Sequence, residues 1–166
     1  MELYKLGVDN MVESSIREMI SLTDKKLKEL KGFLNLKLKQ KEAIEKENME
    51  DIESTLNTFQ SKINAIDEID STYLLKLNEL KVNLGIDSIS QINSTEYPCI
   101  DSLIIRIDEI NATLKAINVI DDENNLLMKE KLEGTKEKLK NLRQGQKMNK
   151  SYNAISYGTM FIDQKN

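Results

Sequence analysis

Histidine and tryptophan are absent from the 166 residues, and proline and cysteine occur once each, as the neighbours Pro98 and Cys99. Without histidine and with a single thiol, zinc sites built from Cys and His have no ligands. Neither a Ser-His nor a Cys-His catalytic pair can be assembled. One cysteine makes no intrachain disulfide, which fits a reducing cytosol. Only six glycines and eight aromatic residues are present. A chain so poor in turn formers and so rich in Lys, Glu, Leu, Ile and Asn leans to long helices.

Long apolar runs are lacking too. The first twenty residues are interrupted by charges and hold no signal-peptide core. Stretches such as Leu103-Ile104-Ile105 fall far short of the roughly 18 apolar residues that a membrane span requires. The expectation is a cytoplasmic protein with no membrane insertion. Charge of one sign is also missing: 28 acidic residues stand against 24 basic ones, for a formal net charge of −4. That balance argues against a nucleic-acid binder, which needs a concentrated basic excess for phosphate.

What the chain does have is apolar periodicity. Ile16, Ile20, Leu27, Leu30 and Leu34 recur at threes and fours once Thr23 is counted, a coiled-coil-like seam running on through Leu38 and Ile44. Asn10 with Glu13 predicts a capping box at its start, and Asn48, followed by Glu50 and Asp51, offers a fresh cap after a turn at Glu47 and Asn48. A second seam runs from Ile52 through Leu56, Phe59, Ile63, Ile66, Tyr73, Leu77 and Leu80 to Leu84, stopped by Gly85. Ser88, Ser90, Asn93, Ser94, Thr95 and Pro98 predict a connection, with room for one helical turn near 87–92. A third segment carries Ile104, Ile107, Ile110, Leu114, Ile117, Leu127, Leu132, Leu139 and Leu142, and is polar at 121–125 where a seam residue is due. The expected fold is all-α: three long antiparallel helices, 10–47, 49–84 and 100–142, in a coiled-coil-like bundle over 1–142 with a loop at 85–99. Residues 143–166 are expected to form a flexible, polar tail that nonetheless clusters Tyr152, Ile155, Tyr157, Met160 and Phe161. A terminal polar segment with clustered aromatics resembles one that orders on a partner.

Candidates for chemistry are few. Asp121, Asp122 and Glu123 are adjacent on a helix and so point about 100° apart, which does not converge them on one ion; no metal site follows. Cys99 has no histidine to activate it and reads as an unreactive or partly buried thiol. Gly145 and Gly158 lack the spacing, lysine and hydroxyl of a phosphate loop. No enzyme and no cofactor is expected. Lysines 25, 26, 28, 31, 37, 39 and 41 make part of the first helix basic, and Glu42, Glu45, Glu47, Glu50, Asp51 and Glu53 make the next stretch acidic. These are read as solvent faces of a helical hairpin pairing with each other's charges. Each seam mostly serves the chain's own core, so a partner is left the end of the third helix and the tail. The candidate binding residues are Leu127, Leu132, Leu139, Leu142, Tyr152, Ile155, Tyr157, Met160 and Phe161.

Taken together these parts resemble a known family. Lys41, Ala43, Ile44, Asn48 and Ile52 match the K-x-A-[LI]-x3-[DN]-x3-[LI] junction between the first two helices of the FlgN-type flagellar export chaperones. Leu84-Gly85-Ile86, the serine-rich connection, and Asn124-Asn125-Leu126-Leu127 followed by Leu132 are similar to that family's second-helix end and its N-x-L-L signature. Tyr157-Gly158 and Phe161-Ile162-Asp163-Gln164-Lys165 look like the endings of its clostridial and bacillar members. The resemblance spans nearly the whole chain. It implies a cytoplasmic, non-enzymatic chaperone of flagellar type III export. Such chaperones bind the C-terminal amphipathic helices of hook-filament junction (hook-associated) proteins, prevent their premature assembly and deliver them to the export gate. It also implies docking on that gate through aromatics near the C-terminus, here Tyr152 or Tyr157. Whether the free protein forms a homodimer stays open. A chaperone of the filament-cap type and a self-associating structural coiled coil are the competing readings.

Overall fold

The computed structural model describes the backbone of residues 2–162 and the side chains of residues 9–147. Three α-helices and one short 3-10 turn follow in order: α1 (Glu2–Glu45), α2 (Met49–Leu84), the turn Ile89–Gln91, and α3 (Cys99–Ile162). The chain divides into two units, Met1–Asn124 and Asn125–Asn166. Among the described residues there is no strand, and the all-α expectation holds.

The junctions form where local chemistry asks for them. α1 closes with Glu47 in the left-handed region at φ 55°, while the Asn48 N–H donates to Ala43 O at 2.9 Å. Asn48 then caps α2, its side chain accepting from the Asp51 N–H at 3.2 Å. Gly85 ends α2 at φ 64°, a conformation that a Cβ would penalise, and the Ile86 N–H donates back to Lys81 O at 3.1 Å. Ser88 and Gln91 close a capping box around the 3-10 turn. Pro98 lies immediately before α3, where its missing N–H costs nothing.

Two expected boundaries are corrected. α1 begins at Glu2, so Gly7 and Asn10 lie inside it and Asn10 is no cap. Glu13, expected to complete the capping box, instead pairs with Arg17 at 2.6 Å. Tertiary contacts hold this first part: Val12 is a core residue, and Asp9 accepts a hydrogen bond from Tyr97. At the other end, α3 continues past Leu142 to Ile162. Arg143, Gln144, Gln146 and Lys147 are good helix formers, no proline interrupts the stretch to Ile162, and the isolated glycines Gly145 and Gly158 cost only about 1 kcal/mol each.

Within the first unit, cross-helix pairs fix direction and register. Glu18 with Lys76, Lys26 with Asp70, and Glu29 with Lys62 set α2 antiparallel to α1. Asp24 with Arg106, Lys37 with Asp121, and Lys41 with Glu123 set α3 parallel to α1. Lys26, Lys37 and Lys41 of α1 thus find opposite charges on α2 and α3 rather than in the acidic stretch that follows them in the chain. These pairs are partly exposed and screened by water, so they choose register more than they supply stability.

The core supplies the stability. One cluster joins Val12, Ile16 and Met19 of α1 with Leu80 of α2, Tyr97 of the connection, and Ile100 and Leu103 of α3. A second joins Leu27 and Leu30 to Ile110 and Ile117, with Phe33, Leu34 and Ile66 packed against it. Phe33 and Phe59 meet across α1 and α2 with ring centroids 5.0 Å apart. Burying each such side chain contributes about 1.5–3 kcal/mol, which outweighs any one of the ion pairs.

Candidate partner-binding surface

The seam of α3 changes character along its length. Ile100, Leu103, Ile110 and Ile117 are buried. At Asp121 and Asn124 the same spacing of threes and fours delivers polar residues, and both are used. Asp121 pairs with Lys37, and Asn124, only 3% exposed, donates from Nδ2 to Lys37 O at 2.9 Å and to Gln40 Oε1 at 3.2 Å. Lys37 also lies over the Phe59 ring, 4.5 Å from its centroid. The Lys41 ammonium, bonded to Glu123 at 2.8 Å, has its pKa raised by that hydrogen bond and by the carboxylate's charge. Asp121, Glu123 and Asn124 therefore make the polar gap a built layer of the first unit.

In the second unit the spacing continues through Met128, Leu132, Thr135, Leu139 and Leu142. Leu132 is 54% exposed, Leu139 49% and Leu142 66%. Leu127 is half-buried, and Leu126 beside it is exposed at 60%. The structure thus brings three of the nine candidate residues, Leu132, Leu139 and Leu142, onto one exposed helix face. Leu127 lies about 120° round the helix from Leu139 and is not part of that row. Tyr152, Ile155, Tyr157, Met160 and Phe161 have side chains outside the described residues, so their placement does not enter the site.

At the other end of α3 lie Tyr97, which sequence reasoning passed over, and Cys99, which it read as an unreactive or partly buried thiol. Tyr97 is 6% exposed and anchors the start of the helix, its hydroxyl donating to Asp9 Oδ1 at 2.9 Å. Burial first, and then that hydrogen bond, push its phenol up to about 12. Cys99 is half-buried against the first cluster, and burial raises its thiol pKa, which keeps it protonated and slow to react. A cleft of about 210 Å³ lies among Thr23, Lys26, Asp70, Tyr73, Ile110 and Leu114. It sits inside the helix packing and gathers no nucleophile with a base.

A three-helix bundle in the first unit and, in the second, a helix on which Leu132, Leu139 and Leu142 are exposed define an all-α helical protein. No helix among the described residues is long and apolar enough to cross a membrane. A family model described as FlgN protein matches residues 11–155, so the chain belongs to the FlgN family. That family is one of flagellar export chaperones and not of enzymes, and its members bind flagellar hook-associated proteins. Comparison with curated proteins and with solved structures finds no match.

Proposed function

We propose that this protein is a cytoplasmic chaperone that holds the C-terminal amphipathic helices of hook-filament junction proteins, keeps them from assembling early, and passes them to the export gate. The observation that carries the reading is the exposed leucine row of α3, Leu132, Leu139 and Leu142, in a chain of this family. A client helix laying its apolar stripe along that row removes apolar surface from water at about 25 cal/mol per Å², before ordering costs are deducted. No nucleotide is needed for release, since competition at the gate suffices. Tyr152 and Tyr157 are the proposed gate contacts, with Ile155, Met160 and Phe161 extending the client surface.

The test is calorimetric titration of the full chain with the C-terminal helical segment of a hook-filament junction protein from the same organism. Micromolar or tighter one-to-one binding is expected. A Leu132→Ser, Leu139→Ser variant should weaken it by tenfold or more. A Tyr152→Ala, Tyr157→Ala variant should keep the client and lose the gate. Absence of binding by the parent chain, together with a stable homodimer, would replace this reading with a self-associating coiled coil.

A further inference from the structure

The leucine row of the second unit lies in a charge pattern of its own. Residues 125–147 hold seven cations, Lys129, Lys131, Lys136, Lys138, Lys140, Arg143 and Lys147, and three anions, Glu130, Glu133 and Glu137, in a chain of formal net charge −4. At about 100° per residue, Met128, Leu132, Thr135, Leu139 and Leu142 fall within a strip about 80° wide. Arg143, Lys136, Lys129 and Lys140 follow along one flank, within about 100° of Leu139, and Lys138 lies about 100° away on the other. The three glutamates take the back of the helix, about 120° or more from Leu139. Lys129, Lys136, Lys138, Lys140 and Arg143 are all exposed and make no ion pair among the described residues. By contrast, Lys26, Lys37, Lys41, Lys62, Lys76 and Arg106 of the first unit each have a carboxylate on another helix.

We infer that this surface recognises an α-helix whose own leucine-type seam is flanked by carboxylates, concentrated on the flank that faces Lys129, Lys136, Lys140 and Arg143. The strip is a narrow row at threes and fours, the signature of a helix-to-helix seam, whereas a helix that lies on lipid presents a broad apolar face with aromatic anchors. Residues 125–147 contain no aromatic residue. Cations flanking such a seam set which partner is accepted and how fast it arrives. The inference rests on the proposed function only in taking the leucine row as a helix-binding site, and it names the chemistry that selects the helix.

Two designed helical peptides of identical leucine seam, one flanked by Glu and the other by Lys, separate the possibilities when titrated by fluorescence anisotropy against the full chain. The Glu peptide should bind and weaken about tenfold between 50 and 300 mM NaCl, and the Lys peptide should fail. A Lys129→Gln, Lys136→Gln, Lys140→Gln, Arg143→Gln variant should lose about tenfold for the Glu peptide, with unchanged circular dichroism because all four residues are exposed. Equal binding of both peptides, or a variant indistinguishable from the parent, would overturn the inference. So would tighter binding to vesicles of 30% anionic lipid than to the Glu peptide, or a self-associated chain that neither peptide displaces. If the Glu peptide behaves as expected while the junction-protein segment does not bind, the charge selection stands and the client reading falls.

Discussion

The hydroxyl of Tyr97, in the connection before α3, donates to Asp9 Oδ1 of α1 at 2.9 Å, tying together residues far apart in the chain at the end of the bundle where the first core cluster begins. Tyr97→Phe keeps the ring in that cluster and deletes only the donor. The cost should be about 1 kcal/mol, since the bond ends on a carboxylate that water also reaches. For a chain of this length the melting temperature should fall by about 2–4 °C.

The same pair sets a dependence on alkaline pH. Burial and the bond to Asp9 raise the phenol of Tyr97 from 10.0 to about 12. A pKa raised on folding gives stability that is fully present below the unfolded value and is lost as pH rises through the folded one. This contribution should therefore persist to about pH 10 and disappear between pH 10 and 12. Phenolate absorbance near 295 nm should show Tyr97 titrating late together with Tyr73, whose phenol burial also pushes up, and the late amplitude should fall by one tyrosine in Tyr97→Phe.

Leu103 is fully buried where α3 meets Ile16, Met19 and Leu80 of the other helices. Leu103→Ala should cost about 2–5 kcal/mol by transfer and cavity together. The matching control is Ile105→Ala two residues on, at a position 55% exposed, which should cost less than about 1 kcal/mol. Urea denaturation followed by circular dichroism separates the two; equal losses would mean that α3 is not seated as described.

Much of this architecture is legible in the sequence because its signals are local. Asn48, Gly85 and Pro98 each act within a few residues of themselves, and all three sit at helix boundaries. Asn10 misleads for the same reason. Its cap signature is local, but Val12, Met19 and Asp9 are held by residues from the far end of the connection, which no local pattern reveals. The roles of Asn124 and Gln40 are hidden because burying a polar side chain depends on which residues face each other across two helices. The leucines at 132, 139 and 142 are legible as a row, and all three are exposed. Of the cations that flank that row, Lys129, Lys136, Lys138 and Lys140 fall within the helix expected to end at Leu142, and only Arg143 depends on the helix continuing past it.

Asn124 has an amide whose Nδ2 is doubly used and whose Oδ1 has no partner, at 3% exposure. A buried acceptor without a donor costs about 1–3 kcal/mol. Asn124→Leu removes it and adds apolar burial, while Gln40 Oε1 and Lys37 O each give up one donor. The gain should exceed the loss, raising the melting temperature by a few degrees. A fall in stability instead would show that the hydrogen bonds to α1 outweigh the orphaned oxygen.

Gly32 lies inside α1 beneath Lys62, whose Nζ reaches over to Glu29 at 2.9 Å. A Cβ built on Gly32 would come within 2.9 Å of that Nζ, so the ammonium must move. It is the far end of a flexible chain with water nearby, and the ion pair it would leave is a partly exposed one of about 0–1 kcal/mol. Replacing glycine by alanine in a helix interior gains about 0.5–1 kcal/mol by restricting the unfolded chain. The two effects are close, and a double-mutant cycle resolves them. Gly32→Ala in a Lys62→Met background has no ammonium to displace and should show the full gain, about 1–4 °C in melting temperature. In the parent background the same substitution should show less. Equal gains in both backgrounds would mean that the bond from Lys62 to Glu29 contributes nothing to stability.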